Sequence, residues 1–232
     1  MTAEKPVFCI QLQPNPEAFN KYVDKLGVKG VVCHELPGFE SELLTSFVPG
    51  PHLALIFCYP YQGKANAFLE DIYGQLAASG NGEVPQWAFF TQQKVRNVCG
   101  TYALFHALVN NLKHIDIEGS QFGDWLGLSK QNGVDQCADL LVNNSKLTVL
   151  HEHCAQNESE TNVPDKVDYH FITYIVHEGH LFEFDSMQEF PRDCGPSSDA
   201  TFLADVGTVC KELVAQLETI SCNAIVLSAK QD

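Results

Sequence analysis

Apolar positions along the chain follow two rhythms. Between Asn15 and Gly27, the residues Phe19, Tyr22, Val23 and Leu26 recur at spacings of three and four, which buries one face of a helix. Asn15 is placed to cap that helix, Pro16 fits its first turn, and Gly27 ends it. Residues 53–59 form a continuous apolar run closed by Pro60 and read as a buried strand. Residues 65–78 are expected to be helical, stopped by Gly80, Asn81 and Gly82, and residues 87–90 to form a short aromatic strand. Residues 99–112 make the most apolar helix, whose Gly100, Ala103 and Ala107 permit close packing. Weaker helical patterns cover 121–128 and 134–142. Strands at 169–176 and 181–184 flank a turn at Glu178-Gly179, and a helix at 203–217 precedes a last buried strand at 224–227. Helices and strands mix without a βαβ rhythm, which predicts a layered α/β (α+β) domain with an antiparallel or mixed sheet.

Composition narrows the picture. With 232 residues, 45% of them apolar, the chain supports one ordinary domain with a substantial core. Its formal charge of −15 repels phosphate backbones, argues against nucleic acid, and favours a basic partner or substrate. The longest apolar run is strand-sized, so no membrane span is expected, and the first residues lack the basic start and apolar run of a signal peptide. Nine cysteines, odd in number and without a C-x-x-C pair, suit reduced thiols in the cytoplasm or nucleus. Residues 155–168 carry four acidic residues, one basic residue and no aromatic, and by composition form a mobile loop that runs into His170.

Candidate chemistry begins at Cys99. A thiol opening an apolar helix feels the positive end of the helix dipole, which favours thiolate; on position alone, the plainer reading of Cys99 is one more small buried residue. A nucleophilic cysteine needs a base, and the base an orienting group. His170 starts one strand and Asp185 follows the next, fifteen residues later, so a hairpin would bring imidazole and carboxylate to the same end. The plain alternative is a core histidine and a turn aspartate. Gln93, six residues before Cys99, could aim an amide N–H at an oxyanion beside the Cys99 backbone N–H. The run His151-Glu152-His153-Cys154 is dense in metal-ligand types, but adjacent ligands on an extended chain point to opposite faces, and no metal or cofactor is expected.

Two segments together resemble the ubiquitin carboxyl-terminal hydrolase family of cysteine peptidases. Gln93-Lys94-Val95-Arg96-Asn97-Val98-Cys99-Gly100-Thr101 is similar to the family's Gln-x-x-x-Asn-x-Cys-Gly-Thr segment, and His170-Phe171-Ile172 with Gly179-His180-Leu181-Phe182-Glu183-Phe184-Asp185 to its His/Asp hairpin. Weaker matches are Leu12-Gln13-Pro14-Asn15-Pro16 and Cys222-Asn223-Ala224-Ile225-Val226-Leu227-Ser228. The resemblance covers the whole chain and implies a single catalytic domain over residues 1–232, with a papain-like core, a central antiparallel sheet between helices, and a knotted backbone. It implies Cys99 as nucleophile, His170 as base, Asp185 as orienter and Gln93 as oxyanion donor. It also implies that residues 155–168 correspond to a crossover loop under which a substrate tail is threaded. By the same resemblance Leu12, Gln13, Glu35 and Asn97 would contact ubiquitin, the expected partner of a monomeric enzyme that removes small or disordered adducts.

The chain departs from the family pattern at several positions. Cys9 stands where the family has Trp, Gln13 where it has Glu, His34-Glu35-Leu36 where it has Val-Asp-Val, and Ser186 where Gly follows the aspartate. These departures keep a related modifier in view as the substrate. A non-catalytic ubiquitin-binding module on the same fold is a further alternative, opposed by the intact Cys99, His170 and Asp185 set.

Overall fold

The computed structural model describes residues 11–39, 48–61, 63–132, 137–155, 168–218 and 221–231. Most of the expected loop at 155–168 and the Cys9 position lie outside the described residues.

Helix α1 (Pro16–Leu26) is bounded as its sequence predicts. The Asn15 side chain accepts from the Ala18 N–H at 2.9 Å, and Gly27 takes a left-handed φ of 78°. The Val28 N–H closes back onto the Val23 carbonyl at 3.1 Å, as in a Schellman cap. Strands β1 (Val31–Leu36), β2 (His52–Pro60), β3 (Tyr169–His177), β4 (His180–Phe184), β5 (Arg192–Pro196) and β6 (Asn223–Ala229) form one antiparallel sheet in the order β1-β6-β2-β3-β4-β5. Alternation along β2 serves two cores. Ala54, Ile56 and Cys58 join the cluster that also holds α1 and α3 (Cys99–Val109), whereas Leu55, Phe57 and Tyr59 face the cluster holding α2 (Gly63–Ala78) and α7 (Phe202–Val214). A sheet covered by helices on both faces explains why its central strands β6, β2 and β3 are buried along most of their length. The remaining helices are α4 (Gln121–Asn132), α5 (Cys137–Val142) and α6 (Ser145–Ala155).

The β3–β4 hairpin turns on Glu178 and Gly179 with φ of 48° and 84°, the paired positive values that match a two-residue turn to strand twist. This turn sets the register that carries Asp185 back to His170.

The structure changes four expectations. Residues 87–90 are irregular rather than a strand: the Asn110 side chain takes the Phe89 N–H at 2.8 Å and its carbonyl at 2.9 Å, doing for that residue what a neighbouring strand would. Helix α3 stops at Val109 rather than 112, because Asn110 and Asn111 side chains cap the His106 and Ala107 carbonyls, each at 2.9 Å. The metal-ligand-rich run at 151–154 lies on helix α6, not on extended chain. There His151 and Cys154 face inward, and His151 Nδ1 bonds Thr101 Oγ1 at 2.8 Å. Finally, β1, α6 and β5 are elements that apolar periodicity did not reveal.

Candidate active site

Three chain segments converge at the N-terminus of α3. Asn97, at φ 68°, turns the chain into the helix; asparagine tolerates this left-handed conformation better than most residues. Val98 occupies the cap position without a side-chain cap, so the first helical N–H groups remain directed at the Cys99 end. All eleven residues of α3 are buried, which fixes the thiol on a rigid support. The space beside Gly100 is filled: a Cβ there would lie 3.1 Å from Leu12 Cβ and 3.6 Å from Phe171 Cδ2. Gly100 therefore serves close packing of the segment at Leu12 and of β3 on the helix, as its small size predicts.

His170, the second residue of β3, meets Asp185, the first residue after β4, through an Nε2–Oδ1 contact of 2.6 Å. Both are buried, at 4% and 1% exposure. The Met187 N–H donates to the same carboxylate oxygen at 2.8 Å. Burial alone would strip the proton from the imidazole, but the Asp185 charge, its hydrogen bond and the adjacent Cys99 outweigh burial and raise the His170 pKa. Burial likewise opposes the Asp185 carboxylate, and the His170 charge and hydrogen bond overcome it, so that pKa is lowered. With Nε2 taken by Asp185, the ring nitrogen left for the Cys99 side is Nδ1. The rings of Tyr59 and Tyr61 stand edge-on to the imidazole, each with centroids 5.8 Å away.

Gln93 sits beside this pair. Its backbone N–H donates to the Ser186 carbonyl at 2.8 Å, and its Oε1 accepts from the Ser186 hydroxyl at 3.2 Å. That leaves Nε2 as the end able to face a substrate oxygen. Of the residues expected to touch a partner, Glu35 is exposed and Gln13 and Asn97 are half-buried, whereas Leu12 is 2% exposed and belongs to the core under the site.

Sequence reasoning missed Gln11. Its Nε2 lies 2.6 Å from the Tyr169 carbonyl oxygen and 3.8 Å from Cys99 Sγ, and its Oε1 accepts the Tyr169 N–H at 3.2 Å. No sequence signal marks it, because its partners are 88 and 158 residues away. A second missed group lies behind the hairpin. Fully buried Glu183 accepts from Arg192 Nη2 at 2.8 Å, Tyr174 at 2.7 Å and Tyr73 at 3.0 Å.

A thiol on a helix N-terminus, an imidazole whose pKa is raised and a carboxylate that fixes the imidazole make up a set able to perform nucleophilic acyl transfer. Comparisons with known proteins agree with this chemistry. Ubiquitin carboxyl-terminal hydrolase isozyme L1 from rat and from human are each 34% identical over 212 residues, covering 88% of this chain and 91% of theirs. A ubiquitin carboxyl-terminal hydrolase of Drosophila melanogaster is 33% identical over 208 residues, covering 88% of this chain and 90% of its own. In fold, the chain is similar to the Trichinella spiralis UCH37 catalytic domain solved with ubiquitin vinyl methyl ester, with a TM-score of 0.71, 20% identity and 95% coverage of each chain. Residues 9–215 match ubiquitin carboxyl-terminal hydrolase, family 1, and the chain belongs to that family of thiol-dependent ubiquitinyl hydrolases.

Proposed function

We propose that this chain cleaves small or disordered adducts from the C-terminal glycine of ubiquitin, with Cys99 as nucleophile, His170 as base and then acid, Asp185 as orienter and Gln93 as oxyanion donor. The observation that carries the reading is the buried His170–Asp185 contact of 2.6 Å at the mouth of the helix that Cys99 opens. Asp185 holds Nε2, which turns Nδ1 to the thiol. The Cys99 proton passes to the imidazole, and the thiolate attacks the glycine carbonyl. The Cys99 backbone N–H and Gln93 Nε2 stabilise the oxyanion. Imidazolium then protonates the leaving amine or thiol, and water, deprotonated by His170, hydrolyses the acyl-enzyme.

The preference for small adducts is supported by connectivity: β3 begins at Tyr169, one residue before His170, and just ahead of it the Tyr61 N–H donates to the Asp168 carbonyl at 2.7 Å. The arginine-bearing tail of ubiquitin suits a chain of charge −15. Ubiquitin is the partner favoured over a related modifier, the working form is a monomer, and the cytoplasm or nucleus is the compartment suited to its reduced thiols.

The test is reaction with ubiquitin bearing a C-terminal electrophile, alongside hydrolysis of ubiquitin-aminocoumarin and of linked di-ubiquitin. Covalent capture at Cys99, lost in Cys99→Ala, and fast cleavage of the coumarin but slow cleavage of di-ubiquitin are expected. Binding without capture would identify a binding module. Equal rates on the two substrates would remove the size preference, and no interaction would point to another modifier.

A further inference from the structure

A thiolate is an acceptor only, and at Cys99 it has an unfavourable neighbour: Sγ lies 3.6 Å from the Tyr169 carbonyl oxygen. The neutral thiol can donate to that oxygen; the thiolate instead faces its lone pairs. Gln11 lies against both, with Nε2 within reach of the carbonyl oxygen and of Sγ. Its reciprocal pairing with Tyr169, Nε2 to the carbonyl at 2.6 Å and Oε1 from the N–H at 3.2 Å, fixes the amide's orientation. A half-turn flip would set oxygen against oxygen and N–H against N–H. One Nε2 proton therefore serves the carbonyl, and the other is left for Cys99 Sγ at 3.8 Å.

We propose that Gln11 is a further catalytic residue, donating its amide N–H to the Cys99 thiolate while pinning the residue that precedes His170. The proposal rests on Cys99 being the nucleophile. It separates the work of two amides: Gln11 serves the sulfur, and Gln93, held by Ser186, serves the oxyanion. A hydrogen bond to a charged group is stronger than one to a neutral group, so it favours the attacking form of Cys99. Because thiolate reactivity falls as basicity falls, the net effect on attack at neutral pH is about threefold. Loss of the Tyr169 pin adds to it.

The experiment alkylates the folded protein with iodoacetamide at pH 7, following the Cys99 peptide by mass spectrometry, and measures ubiquitin-aminocoumarin hydrolysis in parallel. Gln11→Leu should slow Cys99 alkylation by about threefold to tenfold and lower kcat similarly, with KM within about twofold. Gln11→Glu keeps the side chain's shape but sets a carboxylate against the carbonyl and the sulfur, so its loss should exceed that of Gln11→Leu. A packing role alone would reverse this ranking and overturn the proposal. Rates within about twofold of wild type for both variants would also overturn it. If the glutamate variant does not fold, Gln11→Leu decides by the same criterion. The alkylation needs no ubiquitin, so failure of the deubiquitinase reading would leave this result readable.

Discussion

Asp185 and Ser186 are adjacent in sequence and serve different partners. Asp185 orients the imidazole through its 2.6 Å contact, and Ser186 holds Gln93 through its hydroxyl at 3.2 Å. Asp185→Asn should lower kcat by about a hundredfold to ten-thousandfold with KM little changed, because burial then favours neutral imidazole and the tautomer is no longer fixed. Steady-state kinetics on ubiquitin-aminocoumarin would read this, and an unchanged kcat would show that Asp185 does not orient the base. Ser186→Ala should lower kcat by about threefold to tenfold through a freed Gln93 amide, the cost of one hydrogen bond. In a Gln93→Ala background the same change should have little further effect; two independent losses in that cycle would mean that Ser186 acts otherwise. At this scale the sequence was informative where chemistry is tied to local spacing. Gln93, Cys99, His170 and Asp185 stand in two short stretches that a hairpin and a helix start bring together. Gln11 was illegible because its role depends on contacts across 158 residues; the close packing at Gly100 was legible, but not that its neighbour is Leu12, which arrives from a distant segment.

Among the elements, the β3–β4 hairpin is braced from behind by an ion pair. Glu183 has no exposed surface, and its carboxylate is shared by Arg192 of β5 and two tyrosine hydroxyls. Burial of a carboxylate is costly unless its charge and lone pairs are all engaged. Arg192→Leu should therefore destabilise the fold by about 3–5 kcal/mol in urea unfolding, by leaving that charge uncompensated. Replacing both partners, as in Glu183→Leu with Arg192→Leu, should cost less than the two single changes together. A loss below about 1 kcal/mol for Arg192→Leu would place the pair among ordinary surface bridges. Strand β5 escaped the sequence reading for the same reason it matters: Arg-Asp-Cys-Gly-Pro has no apolar alternation, and it is held by hydrogen bonds and this ion pair. Residues 87–90 misled in the opposite direction. Their aromatic character is real, but Trp87 stacks on His177 with centroids 3.7 Å apart and Phe89 is held through the Asn110 side chain, so the segment docks without joining a strand ladder.

For the whole molecule, two buried histidines give pH dependences of opposite sign. His106 is fully buried, its Nε2 accepts the Thr91 N–H at 3.2 Å, and burial pushes its pKa down to about 4. Because its unfolded value is about 6.5, its contribution is fully present above that pH and is lost as pH falls towards 4, by about 3 kcal/mol. His170 is raised, so its contribution is present below about 6.5 and lost only as pH climbs through its folded value. Asp185 is lowered, so it contributes above about 4 and is lost as pH falls below that. Stability should thus decline on mild acidification mainly through His106. His106→Gln should flatten the stability profile between pH 6.5 and 4 in denaturant titrations, whatever it costs at neutral pH. An unaltered slope would assign the acid limb to other groups.

The placement of β6 between β1 and β2 has a consequence for how the protein comes into being. Residues 31–36 emerge early in synthesis but have no sheet partner until residues 223–229 arrive nearly two hundred positions later. Until then β1 and the flank of β2 are bare edges, open to wrong pairings. Translation ending before Asn223 would leave those edges permanently unfilled, and such a product is expected to be insoluble or rapidly degraded, as expression of a chain stopped at Cys222 would reveal. On the proposed roles, a nascent chain long enough to display Cys99 but not His170 would be a thiol without its base, so hydrolysis would wait for a nearly finished fold. Synthesis order thereby works as a safety catch.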